Sequence, residues 1–351
     1  MQHSYLLAGI SSGKLFRLLS RNGFSIKYLL RILFLLQGSI FSSIFNRVEK
    51  FKMGKKLKTY SMPDDPIFII GHWRSGTTLL HQLMALDENL VSPNVFQVSA
   101  PGSFLVSGKY YKPLMSKLMK PTRPMDNVKL DVLQPQEDEY ALIKLTLDSP
   151  LEKLIFPKNK KYFLMDDDLY PKKINPWKSS FKSFCQRISF TTGKRLLLKN
   201  PFHSMRIPLL LEMFPKAKFI HIYRHPLEVI PSTIHMWDVV GKENVLKGKA
   251  SKPKVEEVAL AFDRIMTTIQ KNLVSVAEEA KIEIGFRELE KDPIQTLRKI
   301  YDKLEIKASP NFTERVTDWF AETGPYQKNK YLLSEAEKQI IEQSLKKYFT
   351  D

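Results

Sequence analysis

Two stretches of the chain hold side chains whose types and spacing suit the binding of phosphate or sulfate. The first is Gly71 to Thr78, GHWRSGTT, with two glycines, an arginine, a serine and two threonines. It follows the apolar, β-favouring run Pro66 to Ile70 and precedes the helical pattern Leu79 to Met84. Strand, glycine-bounded loop and helix are the setting in which backbone N–H groups and a helix N-terminus cradle an anion. The spacing fits the triphosphate-binding pattern G-x-x-x-x-G-K-[ST] at every place but one. Thr77 stands where that pattern has lysine, and the cation, Arg74, comes before the second glycine. Without the loop lysine, ATP or GTP hydrolysis lacks its main clamp on the terminal phosphates. A nucleotide-binding loop is expected here, and an ordinary NTPase is not.

The second stretch is 195–235. Arg195 to Lys199 reads as a strand ending in Lys199-Asn200-Pro201, followed by a helix from Met205 to Phe214 with Pro215 as its stop. Lys218 to Arg224 reads as a third strand, closed by His225 and Pro226. Leu227 to Trp237 then reads as a helix carrying Pro231 inside it. These are successive βα units, and ligands of such sheets gather at the carboxyl ends of the strands. The loop Gly71–Thr78, Lys199 and Arg224 all fall at such ends. Val255 to Lys281 and Ser334 to Lys347 read as further helices.

Candidates for proton transfer are fewer. Glu137, Asp138 and Glu139 form a tight acidic group before the apolar helical pattern Tyr140 to Leu145. Acids in a first helical turn also simply complement the helix dipole, so the alternatives stay open. Glu137 comes first as a general base, then Glu139, with His203, four residues past Lys199, as the alternative. Six of the seven histidines fall in 72–81 and 203–235. His221 and His225 bring no third ligand with them, so no metal is expected. Asp166 to Asp168 reads as a solvated turn rather than a magnesium site. Trp73 and Trp237 could stack on a base or an acceptor, although aromatic packing is the default.

Arg74-Ser75-Gly76-Thr77-Thr78 after a hydrophobic strand resembles the 5′-phosphosulfate loop of sulfotransferases that use 3′-phosphoadenosine 5′-phosphosulfate (PAPS). Arg224-His225-Pro226, with Ser232 following, resembles the 3′-phosphate motif of that family, with His225 where aspartate or asparagine is usual. Lys199-Asn200-Pro201 is similar to the lysine motif of the tyrosylprotein sulfotransferases. Pro135 to Tyr140, Ile284 to Pro293 and Tyr326 to Lys330 are similar to stretches of the family's HWRSGTT branch, with a resemblance spanning 63 to about 335. The resemblance implies an α/β fold with a central, mainly parallel sheet flanked by helices and a P-loop-like site. It implies that Arg74, Ser75, Gly76, Thr77, Thr78, Arg224 and Ser232 bind PAPS, joined by Lys328 and Asn329 from a C-terminal strip. Arg74 and Lys199 would carry catalytic charge, with no metal required and adenosine 3′,5′-bisphosphate as product. The acceptor would be a hydroxyl on a lipid, sterol-like or carbohydrate molecule, and no nucleic acid is implied. The rivals are a nucleotide kinase, against which the missing loop lysine argues, and a non-catalytic scaffold of the same fold.

Composition sets the frame for these sites. At 351 residues, 43% hydrophobic and 26% charged, the chain can bury a sizeable core, and wholesale disorder is excluded. Its one cysteine, Cys185, precludes an internal disulfide. The formal charge of +18 draws it toward phosphate, sulfate or anionic lipid. Residues 1–62 read as an N-terminal helical extension and 63–351 as the sulfotransferase-like domain, with a charge-rich linker from Lys50 to Lys58 between them. Within Tyr28 to Phe45, Arg31 and Gln37 interrupt the apolar run, leaving it short of the ~20 residues a spanning helix needs. Lys14, Arg17, Arg21, Lys27, Arg31 and Arg47 interleave with apolar residues, as in a helix at a bilayer surface or a helical collar packed on the main domain. A cytoplasmic or peripheral-membrane location is expected, and a single-pass anchor ranks below both.

Overall fold

The computed structural model describes residues 6–119, 131–157, 162, 164, 170–323 and 331–349. The chain divides into two compact units. One holds Met1–Met62, Pro93–Thr192 and His235–Pro253; the other holds Pro63–Ser92, Gly193–Ile234 and Lys254–Asp351.

The second unit is built on a sheet. Its strands are β1 (Ile67–Ile70), β2 (Leu90–Val91), β3 (Arg195–Lys199), β4 (Lys218–Tyr223) and β5 (Lys281–Gly285), in the spatial order β2-β3-β1-β4-β5. Every pairing is parallel. Near-continuous apolar runs in β1, β3 and β4 suit strands covered on both faces. β5 alternates instead, as an edge strand does, and turns Glu283 outward. β1 lies at the centre, with Ile67 opposite both Leu197 of β3 and Lys218 of β4. The step from β3 to β4 therefore crosses β1, which makes this the point where loops at the carboxyl ends part and leave a crevice.

Helices cover the sheet. The first unit contains α1 (Ser12–Asn22) and α2 (Leu29–Thr59), and the second unit contains α3 (Thr77–Met84). On one face, Ile67, Ile69, Leu197, Ile220 and Ile222 pack with Leu80 and Leu83 of α3 in a single buried cluster. On the other, Phe68 stacks on Phe219 at 5.4 Å and leans on Phe214 at 6.1 Å. Each such buried side chain contributes roughly 1.5–3 kcal/mol of transfer free energy.

The first unit continues with α4 (Val95–Ser99), α5 (Phe104–Leu118), α6 (Glu139–Thr146), α7 (Leu151–Ile155) and α8 (Ile174–Phe190), around a core that includes Trp177, Phe181 and Phe184. The second unit adds α9 (Ile207–Met213), and α10 (Pro226–Asn244) runs from the second unit into the first. The second unit closes with α11 (Val255–Leu273), α12 (Phe286–Lys291), α13 (Pro293–Lys303), α14 (Phe312–Thr323) and α15 (Glu335–Ser344).

Three expected boundaries move. Lys50 to Lys58 is not a linker but the last turns of α2. Glu49 and Leu57 are buried there, while Lys50, Lys52, Lys55, Lys56 and Lys58 point to solvent, so one anchored edge holds a helix that looks polar all round. The helix expected from Met205 begins only at Ile207, after a 3-10 turn over Pro201–Met205. The helix expected to reach Lys281 ends at Leu273, whose carbonyl accepts from Lys281 Nζ at 2.9 Å.

Candidate anion-binding site

The loop after β1 turns back sharply. Gly71 has φ +145° and Gly76 φ +101°, conformations that side chains rarely adopt. A Cβ at Gly71 would stand 2.4 Å from the Ile222 carbonyl, and one at Gly76 would stand 2.3 Å from the Phe286 ring. Arg74, at φ +68°, holds the left-handed conformation without being glycine, a strain that the surrounding bonds must hold in place. Those bonds are buried. Ser75 Oγ donates to the His72 carbonyl at 2.7 Å, and the Gly71 amide donates to Ser204 Oγ at 2.9 Å. His72 Nδ1 donates to the Trp73 carbonyl at 2.8 Å; burial lowers its pKa to about 4, so the ring is neutral.

Gly76 is the N-cap of α3, and no side chain caps the helix there. The first amides of Thr77 and Thr78 are thus left for an anion, with the positive end of the helix dipole behind them. Thr78 reaches the next strand end, where Lys199 Nζ donates to its Oγ1 at 3.4 Å. Lys199 is only 3% exposed. His81, on the same helix, binds Ser92 Oγ at 3.0 Å; burial first, and the Lys199 charge second, hold its pKa well below normal. A neutral imidazole therefore borders the lysine.

The two arginine motifs meet. Arg74 Nε donates to Ser232 Oγ at 2.8 Å, so the loop after β1 and the first turns of α10 share a bond. Arg224, after β4, donates from Nη2 to Glu228 Oε1 at 2.7 Å and lies over the Phe286 ring at 4.3 Å. Its buried Nε has no acceptor among the described residues. One edge of the guanidinium is thus held by Glu228 while Nε has still to find a partner. Glu228 and Phe286 did not emerge from the sequence as site residues. The first stands four residues on, in the first turn of α10, and was legible by spacing; the second comes from the far β5–α12 junction and left no local signal.

The other candidates are placed as follows. Glu137 lies in the first unit, just ahead of α6, and is partly exposed; Asp138 and Glu139 beside it are buried. His203 is fully buried on the 3-10 turn after β3, edge-on to Phe68 at 5.5 Å. Trp73 is buried and packs edge-on against Phe202 at 4.7 Å, as a core side chain does. His221 Nδ1 is 2.7 Å from Glu283, a contact that holds the Glu283 carboxyl below its usual range, and His225 packs on Phe349 at 4.7 Å. Among the described residues no group of three or more metal-ligating side chains comes together. Lys328 and Asn329, like Asp166 to Asp168, lie outside the described residues.

A strand-end loop, an uncapped helix, a buried lysine and two arginines at strand ends can hold a ligand with an anionic group at each end. The chain is similar to known proteins of one family. The model of the Sulfotransferase family matches residues 66–310. The chain is 30% identical over 344 residues to the omega-hydroxy-beta-dihydromenaquinone-9 sulfotransferase Stf3 of Mycobacterium bovis, covering 96% of this chain and 88% of that protein. Its counterpart from Mycobacterium tuberculosis matches to the same extent. Among solved structures, sulfotransferase STF9 from Mycobacterium avium superposes with a TM-score of 0.67 at 17% identity, covering 97% of both chains. STF1 from Mycobacterium tuberculosis gives 0.62 at 16% identity, over 94% of this chain and 90% of that one.

Proposed function

The chain belongs to the sulfotransferase family, and on that premise we propose that it moves a sulfuryl group from PAPS to the hydroxyl of a lipid acceptor. The observation that carries the donor assignment is the Arg74–Ser232 bond, which brings a 5′-phosphosulfate motif and a 3′-phosphate motif into one site. Arg74, the α3 amides and the hydroxyls of Thr77 and Thr78 would hold the 5′ end. Arg224 and Ser232 would hold the 3′-phosphate, the Arg224 Nε being free to donate. The residues fit such a ligand: α3 has no side-chain cap to displace, and its first amides follow a glycine at a positive φ that side chains rarely adopt.

Sulfuryl transfer needs a base, positive charge on the moving group and a stabilised leaving phosphate; the rest is positioning. Lys199, hydrogen-bonded to Thr78, would neutralise charge building on the bridging oxygen as the S–O bond to phosphate breaks. The acceptor oxygen forms the new bond to sulfur and gives up its proton to a carboxylate. For that proton we assign Glu137, since Asp138 and Glu139 are buried while its own carboxylate keeps some exposure. His203, packed fully against Phe68, is the alternative. The lipid class of acceptor is supported by the mycobacterial relatives, which are named as omega-hydroxy-beta-dihydromenaquinone-9 sulfotransferases. The enzyme would work as a peripheral protein at a membrane surface, where such a hydroxyl is met.

The test is transfer of ³⁵S from labelled PAPS to an omega-hydroxylated isoprenoid lipid, with the same lipid lacking the hydroxyl as control. Gain of one SO₃ by the hydroxylated lipid only is the expected result; label in neither lipid, with label in a glycan extract, would overturn the acceptor class. Full turnover in Glu137→Gln would move the base elsewhere, and His203→Ala is then the variant to assay.

A further inference from the structure

Helix α2 buries Ile32, Leu35 and Leu57 together with Ser39, Ser42 and Glu49, while Leu30, Leu33, Ile40, Phe41 and Ile44 face outward. Leu30 is 73% exposed and Ile40, Phe41 and Ile44 are each more than half exposed. Their spacing of three, four and seven forms one stripe along the helix. A helix folded for water on its outer side would turn that stripe inward.

The buried side is committed to the first unit. Ser12 N donates to Ser43 Oγ at 2.8 Å, and Ser12 Oγ contacts Ser39 Oγ at 3.1 Å. Arg31 donates to the carbonyls of Lys242 and Val245, Glu49 accepts from the Leu105 amide at 2.8 Å, and Gln186 holds the Leu57 carbonyl at 2.8 Å. By length and composition the helical stretch Ile26–Thr59 could cross a membrane. It is nevertheless hydrogen-bonded to the rest of the first unit from Arg31 to Leu57.

The apolar surface extends beyond α2. Phe16 of α1 is 73% exposed and Ile26, in the connection, 82%. Tyr110 of α5, itself exposed, has its ring 6.0 Å from Phe45. The helices α1 and α2 are strongly basic, with Arg21 paired to Glu152. From Ser12 to Thr59 there are eleven lysines and arginines and a single acid, the buried Glu49. Arg47, Lys50, Lys52, Lys55, Lys56 and Lys58 project from the C-terminal half of α2.

We infer that the outward face of α1, α2 and α5 is a docking surface for one leaflet of an anionic phospholipid bilayer. The apolar stripe enters the headgroup–acyl boundary, and the basic end of α2 meets lipid phosphates. A second copy of the chain is the poorer occupant. A two-fold dimer through this face would set its basic rim against itself. The inference does not depend on PAPS or on the acceptor.

The test uses the full chain without nucleotide, sedimented with phosphatidylcholine vesicles containing or lacking phosphatidylglycerol. Binding to the anionic vesicles is expected at low salt, weakening as salt rises. Each basic residue near such a surface accounts for about fivefold in partitioning, so Lys50→Gln/Lys52→Gln/Lys55→Gln should bind roughly a hundredfold more weakly. Leu33→Asp/Ile40→Asp/Ile44→Asp should abolish binding with an unchanged melting temperature, because all three positions are exposed. Val274→Asp, an exposed apolar site in the other unit, should bind as the parent does. A nitrobenzoxadiazole fluorophore on Ile40→Cys should be shielded from external dithionite and one on Lys56→Cys quenched, the native Cys185 being buried. Failure of the parent chain to sediment with anionic vesicles at low salt would overturn the inference. So would unchanged binding of the triple-aspartate variant, or a parent dimer that this variant splits without any vesicle binding. Shielding of both fluorophores would mean that α2 crosses the bilayer, and would overturn it equally.

Discussion

Glu49 offers the most direct test of how α2 is held. It is fully buried, accepts from the Leu105 amide at 2.8 Å and lies 3.5 Å from Arg187 Nε. Burial pushes its pKa from 4.5 up to about 7, against the pull of Arg187 and the backbone amides of Leu105 and Val106. A carboxyl whose pKa is raised on folding stabilises the fold below its unfolded value, and that stability is lost as pH rises through the folded one. The window is therefore pH 4.5 to 7. At about 1.4 kcal/mol per unit, the loss across it is roughly 3 kcal/mol. Glu49→Gln keeps an acceptor for the Leu105 amide and carries no charge to desolvate. It should match the parent within about 1 kcal/mol at pH 5, the usual net worth of one altered hydrogen bond. It should be more stable by roughly 2–3 kcal/mol at pH 7.5, an advantage of several degrees in melting temperature. Thermal and urea unfolding of both chains at half-unit steps from pH 4.5 to 7.5 would measure this. Parallel profiles would refute the reasoning, since the slope would then belong to other groups.

The remaining predictions concern the buried lysine and the site. Lys144 is buried, bonded to the Leu6 carbonyl at 3.2 Å, and burial lowers its pKa to about 7. Its stabilising contribution is present above 10.5 and lost as pH falls to 7, so Lys144→Met should remove a rise in stability between pH 7 and 10, read by the same unfolding series. Adenosine 3′,5′-bisphosphate should raise the melting temperature more than AMP, and Arg224→Ala should erase the difference, at a cost of about 1.5–3 kcal/mol in bisphosphate binding. Equal stabilisation by the two nucleotides in the parent chain would contradict the 3′-phosphate assignment. Lys199→Ala should lower kcat about a hundred- to a thousandfold while bisphosphate affinity, measured by calorimetry, changes far less. Gly76→Ala should destabilise by more than about 1 kcal/mol through its positive φ alone and should also weaken bisphosphate binding; a neutral result in both assays would contradict the cradle.

Much of the site was legible because its parts are local. Gly71 to Thr78, Lys199 and Arg224 each follow an apolar run directly, and a strand followed by a helix places such residues at a sheet's carboxyl end. What could not be read is what touches them across the chain. Ser204 fixes Gly71, Phe286 lies under Arg224, and Ser232 binds Arg74, none of them a sequence neighbour of its partner. β2, two residues long, is too short for any periodic pattern to register. Lys50 to Lys58 misled for a different reason. Composition reports the many lysines that face water, while one buried glutamate and one leucine decide that the segment is helical.

The central place of β1 governs how the molecule can be made. Ile67 finds its partners only at Leu197 and Lys218, so the strand that leads into the Gly71–Thr78 loop leaves the ribosome long before either neighbour exists. Contacts this distant in sequence are slow to form, and an apolar strand waiting for them is open to aggregation. The outward stripe of α2 emerges earlier still. A nascent chain therefore shows the outward stripe of α2 first and completes the strand pairing that holds the Gly71–Thr78 loop only after Lys218. Fragments ending before Lys218 should sediment with vesicles yet fail to bind adenosine 3′,5′-bisphosphate, and refolding in the presence of anionic vesicles should recover more soluble, nucleotide-binding protein than refolding in buffer alone.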